Sequence, residues 1–453
     1  MKSVSDTTTS KSLPPGQSGW PLLGETLAFF GDAKFALKRH EKYGDVFRTQ
    51  LLGQPTVFLR GAEANRFVLS QENEYFAISW PTSTKVLLGP LSLSLQTGGT
   101  HQSRRKLLAQ AFLPRSLSSY IPTMLEITRT YLKRWESLET LTWYPELRNY
   151  TLDVACKLFV GLDQGSQTKL GHEFETWCAG LFSIPIPLPW TTFGRARRSR
   201  KRLLAELERI IYDRQQQQER TEDALQLLIE ARDENGQGLS LEELKDQVLL
   251  LLFAGHETLT SAIASFCMLT AQHPNITAAL RAEQQGLAAS ETPTLDELRQ
   301  MTYLDQVLRE VLRLIPPVGA GFRKVLQPFE FNGYQVPVGW SAIYQIGPTH
   351  KEANLYPEPD RFDPERFNAS QTAERPRYGY VPFGGGLREC IGKEFARLEM
   401  KLFAIALLRS YEWQLLPDQN LELSTIPTPR PQDGLRVQFR ALATPLAPMT
   451  SPA

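Results

Sequence analysis

The chain is short of cysteine, has no long apolar leader and carries no excess charge of either sign, and each shortage excludes a class of protein. Four cysteines occur in 453 residues: Cys156, Cys178, Cys267 and Cys390. None forms a Cys-x-x-Cys pair and no histidine spacing suits zinc, so a disulfide framework and a zinc site are both excluded and a reducing compartment is expected. Lys and Arg number 50 against 49 Asp and Glu, which leaves no electrostatic footprint for nucleic acid. Residues 1–19 are rich in Ser, Thr and Lys. A membrane-spanning helix needs about 20 apolar residues and a signal peptide an apolar core, and this segment offers neither. No strand pattern is followed by Gly-x-Gly-x-x-Gly, so the chain has no flavin or nicotinamide fingerprint of its own. No linker or internal repeat divides it. The reading is a flexible polar leader over 1–19 and one domain over 20–453, soluble and cytoplasmic, with no nucleic acid partner and no membrane-spanning segment.

Hydrophobic residues make up 42% of the sequence, enough for a sizeable core. Periodicity predicts helices over 62–70, 101–112, 117–137, 147–160, 167–182, 195–219, 240–272, 300–315 and 391–409. Short strands are expected over 46–49, 56–59, 412–416 and 434–440, and Asn332-Gly333 between apolar runs predicts a hairpin with a type I′ turn. Residues 356–380, rich in Pro and Arg, read as irregular. The fold class is mainly α with small β-sheets.

The richest stretch runs Phe383-Gly384-Gly385-Gly386-Leu387-Arg388-Glu389-Cys390-Ile391-Gly392. Three glycines let the backbone approach something flat, and Gly392 adds no side chain beside the cysteine. Cys390 opens an apolar helical pattern, whose first turn offers unpaired N–H groups and a positive dipole end, both of which stabilise a thiolate. Leu252-Phe253-Ala254-Gly255-His256-Glu257-Thr258 lies inside the longest helical pattern, with Gly255 and Thr258 three apart on one face; by itself this is a Gly/Thr helix contact. His256 points about 100° away from its neighbours and is not a ligand. Glu310 and Arg313 sit at i, i+3, and Pro364-Glu365-Arg366-Phe367 follows.

Together these elements resemble the cytochrome P-450 family of haem-thiolate monooxygenases over essentially the whole chain after residue 19. The resemblance implies the family's fold, with haem b between the long oxygen-activating helix and the cysteine-loop helix, and O2 as co-substrate. It makes Cys390 the iron ligand, its thiolate favouring O–O cleavage, with Phe383 shielding the sulfur. Thr258 would hydrogen-bond dioxygen or a water beside it, Glu257 would relay protons, and Ala254 and Gly255 would leave a groove. Glu310, Arg313 and Arg366 would form a buried charge network. Arg105, Arg323 and Arg388 would bind the haem propionates, as would His101, which stands where many members carry tryptophan. Lacking an anchor, the chain suits a bacterial member or a trimmed one.

Further stretches, among them Leu181 to Pro189, Asp223 to Glu230, Gly319-Ala320-Gly321-Phe322-Arg323 and Trp80-Pro81, resemble the retinoic acid hydroxylase branch. They imply a long apolar, retinoid-like substrate with one carboxylate. Expected pocket residues are Trp80, Phe182, Pro185, Ala254, Thr258, Val318, Gly319 and Gly321, each apolar or small. The basic run Arg195 to Arg202 reads as a solvated helix face. Electrons would come from a ferredoxin- or flavodoxin-type donor, for which Lys106, Lys393 and Arg397 could form part of a basic docking face on a monomer. A fatty-acid or terpenoid hydroxylase, and a non-catalytic haem-thiolate sensor, are the rival readings. A peroxide-driven or isomerase member is disfavoured by the intact Glu257-Thr258 pair.

Overall fold

Val46–Leu51 (β1) and Gln54–Arg60 (β2) are rich in β-branched and aromatic residues, and pair antiparallel about Leu52-Gly53. They open a five-stranded sheet completed by Phe76–Ile78 (β3), Ala320–Val325 (β4) and Ser341–Gln345 (β5), in the order β1-β2-β5-β4-β3. Only the β2–β5 pairing is parallel. The computed structural model describes residues 12–21, 23–216, 221–287, 290–444 and 446. Contacts gather the chain into two units, the first made of Met1–Ser79, Gly319–Glu352 and Pro376–Arg388 and the second of the remainder.

In the first unit, Val57, Leu59, Val68, Phe76, Val325, Ala342 and Tyr344 form one apolar cluster under the sheet. The Asn332-Gly333 hairpin joins Phe329–Phe331 to Tyr334–Val336, both turn residues having positive φ (47° and 79°), the type I′ requirement. Of the expected leader, residues 1–11 lie outside the described residues. From Ser12 onward the segment is bonded to the sheet region: the Ser12 carbonyl accepts from Gln335 N–H at 3.1 Å and that of Pro15 from Arg48 N–H at 2.8 Å.

The second unit is helical. Its main helices are Gly98–Ala109 (α1), Pro114–Glu136 (α2), Trp143–Val160 (α3), Lys169–Cys178 (α4), Thr192–Gln216 (α5), Leu241–Gln272 (α6), Thr302–Leu314 (α7) and Lys393–Ser410 (α8). A three-stranded sheet, Thr140–Thr142, Arg436–Ala441 and Tyr411–Leu415, edges it. The 3.6-residue period located all eight helices within a few residues. It gave no signal for the short helices Thr82–Leu88 and Leu295–Gln300, or for strand β5, which is buried along most of its length and so shows no alternation.

α6 organises this unit. A capping box starts it: Ser240 Oγ accepts from Glu243 N–H at 3.3 Å while Glu243 accepts from Ser240 N–H at 2.9 Å. Its 32 residues are long and apolar enough to cross a membrane, yet most of it is buried in the protein, packed chiefly on α3. The exceptions toward its middle are Leu250, Phe253, Ala254, Gly255 and Thr258, which stay partly or wholly open. Leu250, Ala254 and Thr258 are successive i, i+4 positions, so a single stripe of a mostly buried helix is left open.

His40, on the helix Phe35–Tyr43, is buried beside Phe47 and donates from Nδ1 to the Gly44 carbonyl at 2.9 Å. Burial lowers its pKa to about 4. The unfolded chain therefore takes up a proton below pH 6.5 that the folded chain refuses, and stability falls as pH drops from 6.5 toward 4. His40→Gln should flatten that decline by about 3 kcal/mol, read as the difference between the two proteins' denaturant-unfolding free energies across this range.

Candidate active site

Cys390 lies just before α8, whose N-cap is Gly392. The residue is exposed, unlike Cys156, Cys178 and Cys267, which are buried. Burial of the sulfur raises its pKa, opposed by the Gly392 N–H and by the charges of Arg105 and Lys393. A Cβ on Gly392 would stand 3.7 Å from the Phe112 ring and 4.0 Å from Cys390 Sγ. Phe112 packs near Phe159 and Phe395 at centroid distances of 6.2 and 6.1 Å. Phe159 in turn meets α6, where a Cβ on Gly255 would come within 3.0 Å of its ring. An aromatic floor thus links the cysteine to the open stripe of α6, and every member belongs to the second unit.

That floor corrects the expectation for Gly255. Its missing side chain admits Phe159, and the open positions are carried mainly by Ala254 and Thr258. Thr258 Oγ1 donates to the Ala254 carbonyl at 2.7 Å, so its lone pairs remain for a donor on the open side of the helix. Glu257 also departs from expectation. It turns away from Thr258 and is buried, paired with Arg148 of α3 at 2.8 Å. Arg148 holds Glu175 of α4 at 2.5 Å as well. His256 faces the same network, with Nδ1 2.8 Å from Thr151 Oγ1 and Nε2 3.3 Å from Glu175. Burial opposes ionisation of Glu175, but the hydrogen bond from His256 and the Arg148 charge outweigh it and pull its pKa down to about 2.

On α1, His101 is buried, and Arg105, one turn on, donates to the Glu389 carbonyl at 2.6 Å. This bond ties α1 to the residue preceding Cys390. The residues expected to form a basic docking face are each engaged: Lys106 with Glu234 at 2.7 Å, Lys393 with Glu389 at 3.2 Å and Arg397 with Asp305 at 2.7 Å.

The first unit holds the other two expected arginines. Arg323 is buried and Arg388 partly buried, and one carboxylate bridges them: Glu72 lies 2.9 Å from Arg323 Nε and 3.0 Å from Arg388 Nε. The glycine loop belongs to this unit, and at Gly386 φ is +63° and a Cβ would overlap the Leu69 carbonyl, so no other residue fits. Phe383 is partly buried. Gly321 is explained by packing, a correction to its expected pocket role: the Tyr344 ring occupies the space its side chain would take. Gly319 is open, and its carbonyl accepts from Ile346 and Gly347 N–H.

Of the remaining expected pocket residues, all in the second unit, Trp80 is partly buried and donates to the Ser94 carbonyl at 3.2 Å. Phe182 is partly buried, Val318 is 43% exposed and Pro185 stands in solvent. Sequence reasoning missed Glu72, Arg148 and Glu175. Each lies in an ordinary charged stretch, and nothing local marks it as buried.

Glu310 and Arg313 of α7 are fully buried and joined bidentately at 2.6 and 2.9 Å. Arg366 Nε stands 3.5 Å from Glu310, Asp363 N–H donates to Glu310 at 2.9 Å, and Arg313 donates to the Arg361 carbonyl at 3.2 Å. The pair thereby fastens the irregular 361–366 segment to α7. Arg313→Ala should cost about 3–5 kcal/mol, because the Glu310 carboxylate is left buried without its partner, and a denaturant titration measures it.

Comparison with known proteins agrees with this geometry. The cytochrome P-450 family model matches residues 14–439. The putative cytochrome P-450 120 of Synechocystis sp. is 54% identical over 434 residues, covering 96% of this chain and 98% of that protein. Cytochrome P-450 26A1 of Xenopus laevis is 36% identical over 455 residues, 97% of this chain and 92% of that protein. Human cytochrome P-450 26B1 is 36% identical over 446 residues, 95% and 87% respectively. A solved structure described as retinoic acid bound cyanobacterial CYP120A1 matches with a TM-score of 0.92 at 54% identity, covering 96% of this chain and 100% of that one. With an exposed cysteine at the head of α8 and an open stripe on α6, this chain belongs to the cytochrome P-450 family and is a haem-thiolate monooxygenase.

Proposed function

We propose that the substrate is a long apolar acid of the retinoid type, hydroxylated at its ring end, with electrons supplied by a separate ferredoxin- or flavodoxin-type protein to a soluble, cytoplasmic monomer. The observation that carries the reading is the stripe Leu250, Ala254 and Thr258, an apolar-to-small surface with a single hydroxyl, on a helix otherwise sealed in the core. A rod entering such a hollow presents one end to the reacting centre. Its carboxylate stays nearer solvent, where desolvation costs least. The binding of retinoic acid by a relative 54% identical supports the same class.

The residues present suit haem b. Cys390 is an exposed residue at the head of α8, Gly392 adds no side chain beside its sulfur, and Phe112 supplies an apolar wall. Cys390 would hold the iron and Arg105 a propionate. His101, Arg323 and Arg388 are the other propionate donors in this reading. Bound there, haem supplies the reduction of O2 and insertion of one oxygen atom into a C–H bond. The chain does the rest. The Gly392 N–H and the Arg105 charge oppose the rise in the Cys390 pKa that burial of its sulfur causes. Thr258 Oγ1, its own proton given to Ala254, accepts a hydrogen bond from water in the hollow and so orients it. Glu257, one residue earlier, holds a carboxylate in reserve on Arg148 and reaches the hollow by leaving that partner. Trp80, Phe182 and Ala254 would bound the apolar channel.

Three measurements test this. Cys390→Ala should abolish the red-shifted Soret band of the reduced, CO-bound protein, while replacing Cys156, Cys178 or Cys267 leaves it; a normal spectrum in Cys390→Ala would sink the assignment. Thr258→Ala should still bind haem and substrate but yield at least about tenfold less product per electron, releasing peroxide or water in its place. Full coupling would make Thr258 a packing residue. All-trans-retinoic acid should shift the haem spectrum with micromolar or tighter affinity, about −8 kcal/mol or better, and Phe182→Ala should weaken it by about tenfold. A shift with fatty acids or terpenes but not retinoids would discard the substrate assignment alone.

A further inference from the structure

The stretch Pro376-Arg377-Tyr378-Gly379-Tyr380-Val381-Pro382-Phe383 carries the chain into the glycine loop and on to Cys390. It forms no strand, since Pro376 and Pro382 lack the N–H that a ladder needs. Its buried backbone groups therefore need partners from side chains, and two fully buried polar residues supply them. His350, on the single turn Thr349–Lys351, accepts the Val381 N–H on Nε2 at 2.9 Å and stacks on the Tyr380 ring, centroids 5.3 Å apart. Asn65, on the helix Ala62–Ser70, donates from Nδ2 to the Tyr378 carbonyl at 3.2 Å. One turn on from Asn65, the Leu69 carbonyl fills the space that a side chain on Gly386 would take. The two holders are themselves joined. Thr349 Oγ1 accepts the Gly61 N–H at 2.9 Å, directly before that helix, and donates to the Gln345 carbonyl of β5 at 2.5 Å. All of these residues belong to the first unit, and the loop reaches Cys390 through the chain itself.

We propose that His350 and Asn65 are positioning residues for the iron-binding cysteine: they fix the register at which the loop presents Cys390 and so keep its sulfur ligated as a thiolate. The proposal rests on Cys390 as the iron ligand. The loop's own bonds, Gly379 N–H to the Pro376 carbonyl at 2.8 Å and Gly384 N–H to that of Val381 at 3.0 Å, shape its turns but attach it to no other element. Attachment comes from the two side chains, each acting through backbone. The chemistry of each is specific. Only a neutral imidazole with its lone pair on Nε2 can accept the Val381 N–H. A phenyl ring would keep the size and the stack on Tyr380 but leave that N–H buried without an acceptor, which is the costlier loss. Asn65 likewise offers a donor that an apolar residue of its size lacks.

The test uses the full-length holoenzyme, reduced and CO-bound. His350→Phe and Asn65→Leu should each lose the red-shifted Soret band about tenfold faster than wild type, at temperatures below their unfolding midpoints. His350→Gln, whose amide oxygen can accept the Val381 N–H, should stay within about twofold of wild type. Amide hydrogen exchange gives a readout independent of the haem spectrum. Over residues 376–388 it should quicken by about tenfold in His350→Phe and Asn65→Leu, and stay unchanged over 241–272. In wild type the Val381 amide should be protected, and free exchange there overturns the proposal without any variant. A wild-type band lifetime in His350→Phe overturns it too. Equal losses in His350→Phe and His350→Gln, or exchange along 241–272 that quickens to match, would show that the ring merely packs, and overturn it as well. A Cys390→Ala protein that keeps the band removes the ligand assignment beneath the proposal, whereas the exchange results do not depend on that assignment.

Discussion

The second unit depends on the burial of one helix on all sides but one. α6 is 32 residues long and packs its apolar surface on α3. Close approach is possible because Gly255 admits the Phe159 ring. A glycine inside a helix costs about 1 kcal/mol relative to alanine, and here the contact with Phe159 offsets that cost. Because neighbouring helices seal most of α6, the Leu250, Ala254 and Thr258 stripe is left open instead of forming one more packed face. Phe159, which meets Gly255, packs near Phe112, whose ring borders the space beside Gly392 and Cys390, so helix packing and cysteine placement are linked through these two rings.

Charge inside the protein follows a second constraint. Glu310 with Arg313 and Arg366, Arg148 with Glu257 and Glu175, and Glu72 with Arg323 and Arg388 are three ion networks, each wholly within one unit. Desolvating such groups costs several kcal/mol per ion, and an isosteric apolar core is often the more stable choice. Their value lies in placement. The first fastens an irregular segment to α7, the second anchors the carboxylate next to Thr258, and the third holds two guanidiniums together on one carboxylate.

Much was legible in the sequence because the determining physics is local. Helical periodicity located α1 to α8, Asn332-Gly333 specified its turn, and the glycine run before Cys390 required backbone that other residues cannot adopt, as Gly386 against Leu69 demonstrates. The sequence also set Cys390 apart from Cys156, Cys178 and Cys267, since of the four it alone stands just before a helix behind such a loop.

What tertiary structure alone decided is the direction and partnership of polar groups. Glu257 was expected to relay protons beside Thr258, but successive residues on a helix point about 100° apart, and its carboxylate pairs with Arg148, more than a hundred residues away in the chain. Gly255 and Gly321 looked like vacancies for a ligand and are filled by Phe159 and Tyr344. Glu72 gave no signal, because a carboxylate in a charged stretch becomes a bridge only when β4 and the glycine loop each deliver an arginine to it. Periodicity and backbone conformation are properties of a few consecutive residues, so this sequence determined its helices, its turn and its cysteine loop by itself. The pairing of a buried charge depends on which distant segment arrives beside it, and only the folded chain decides that.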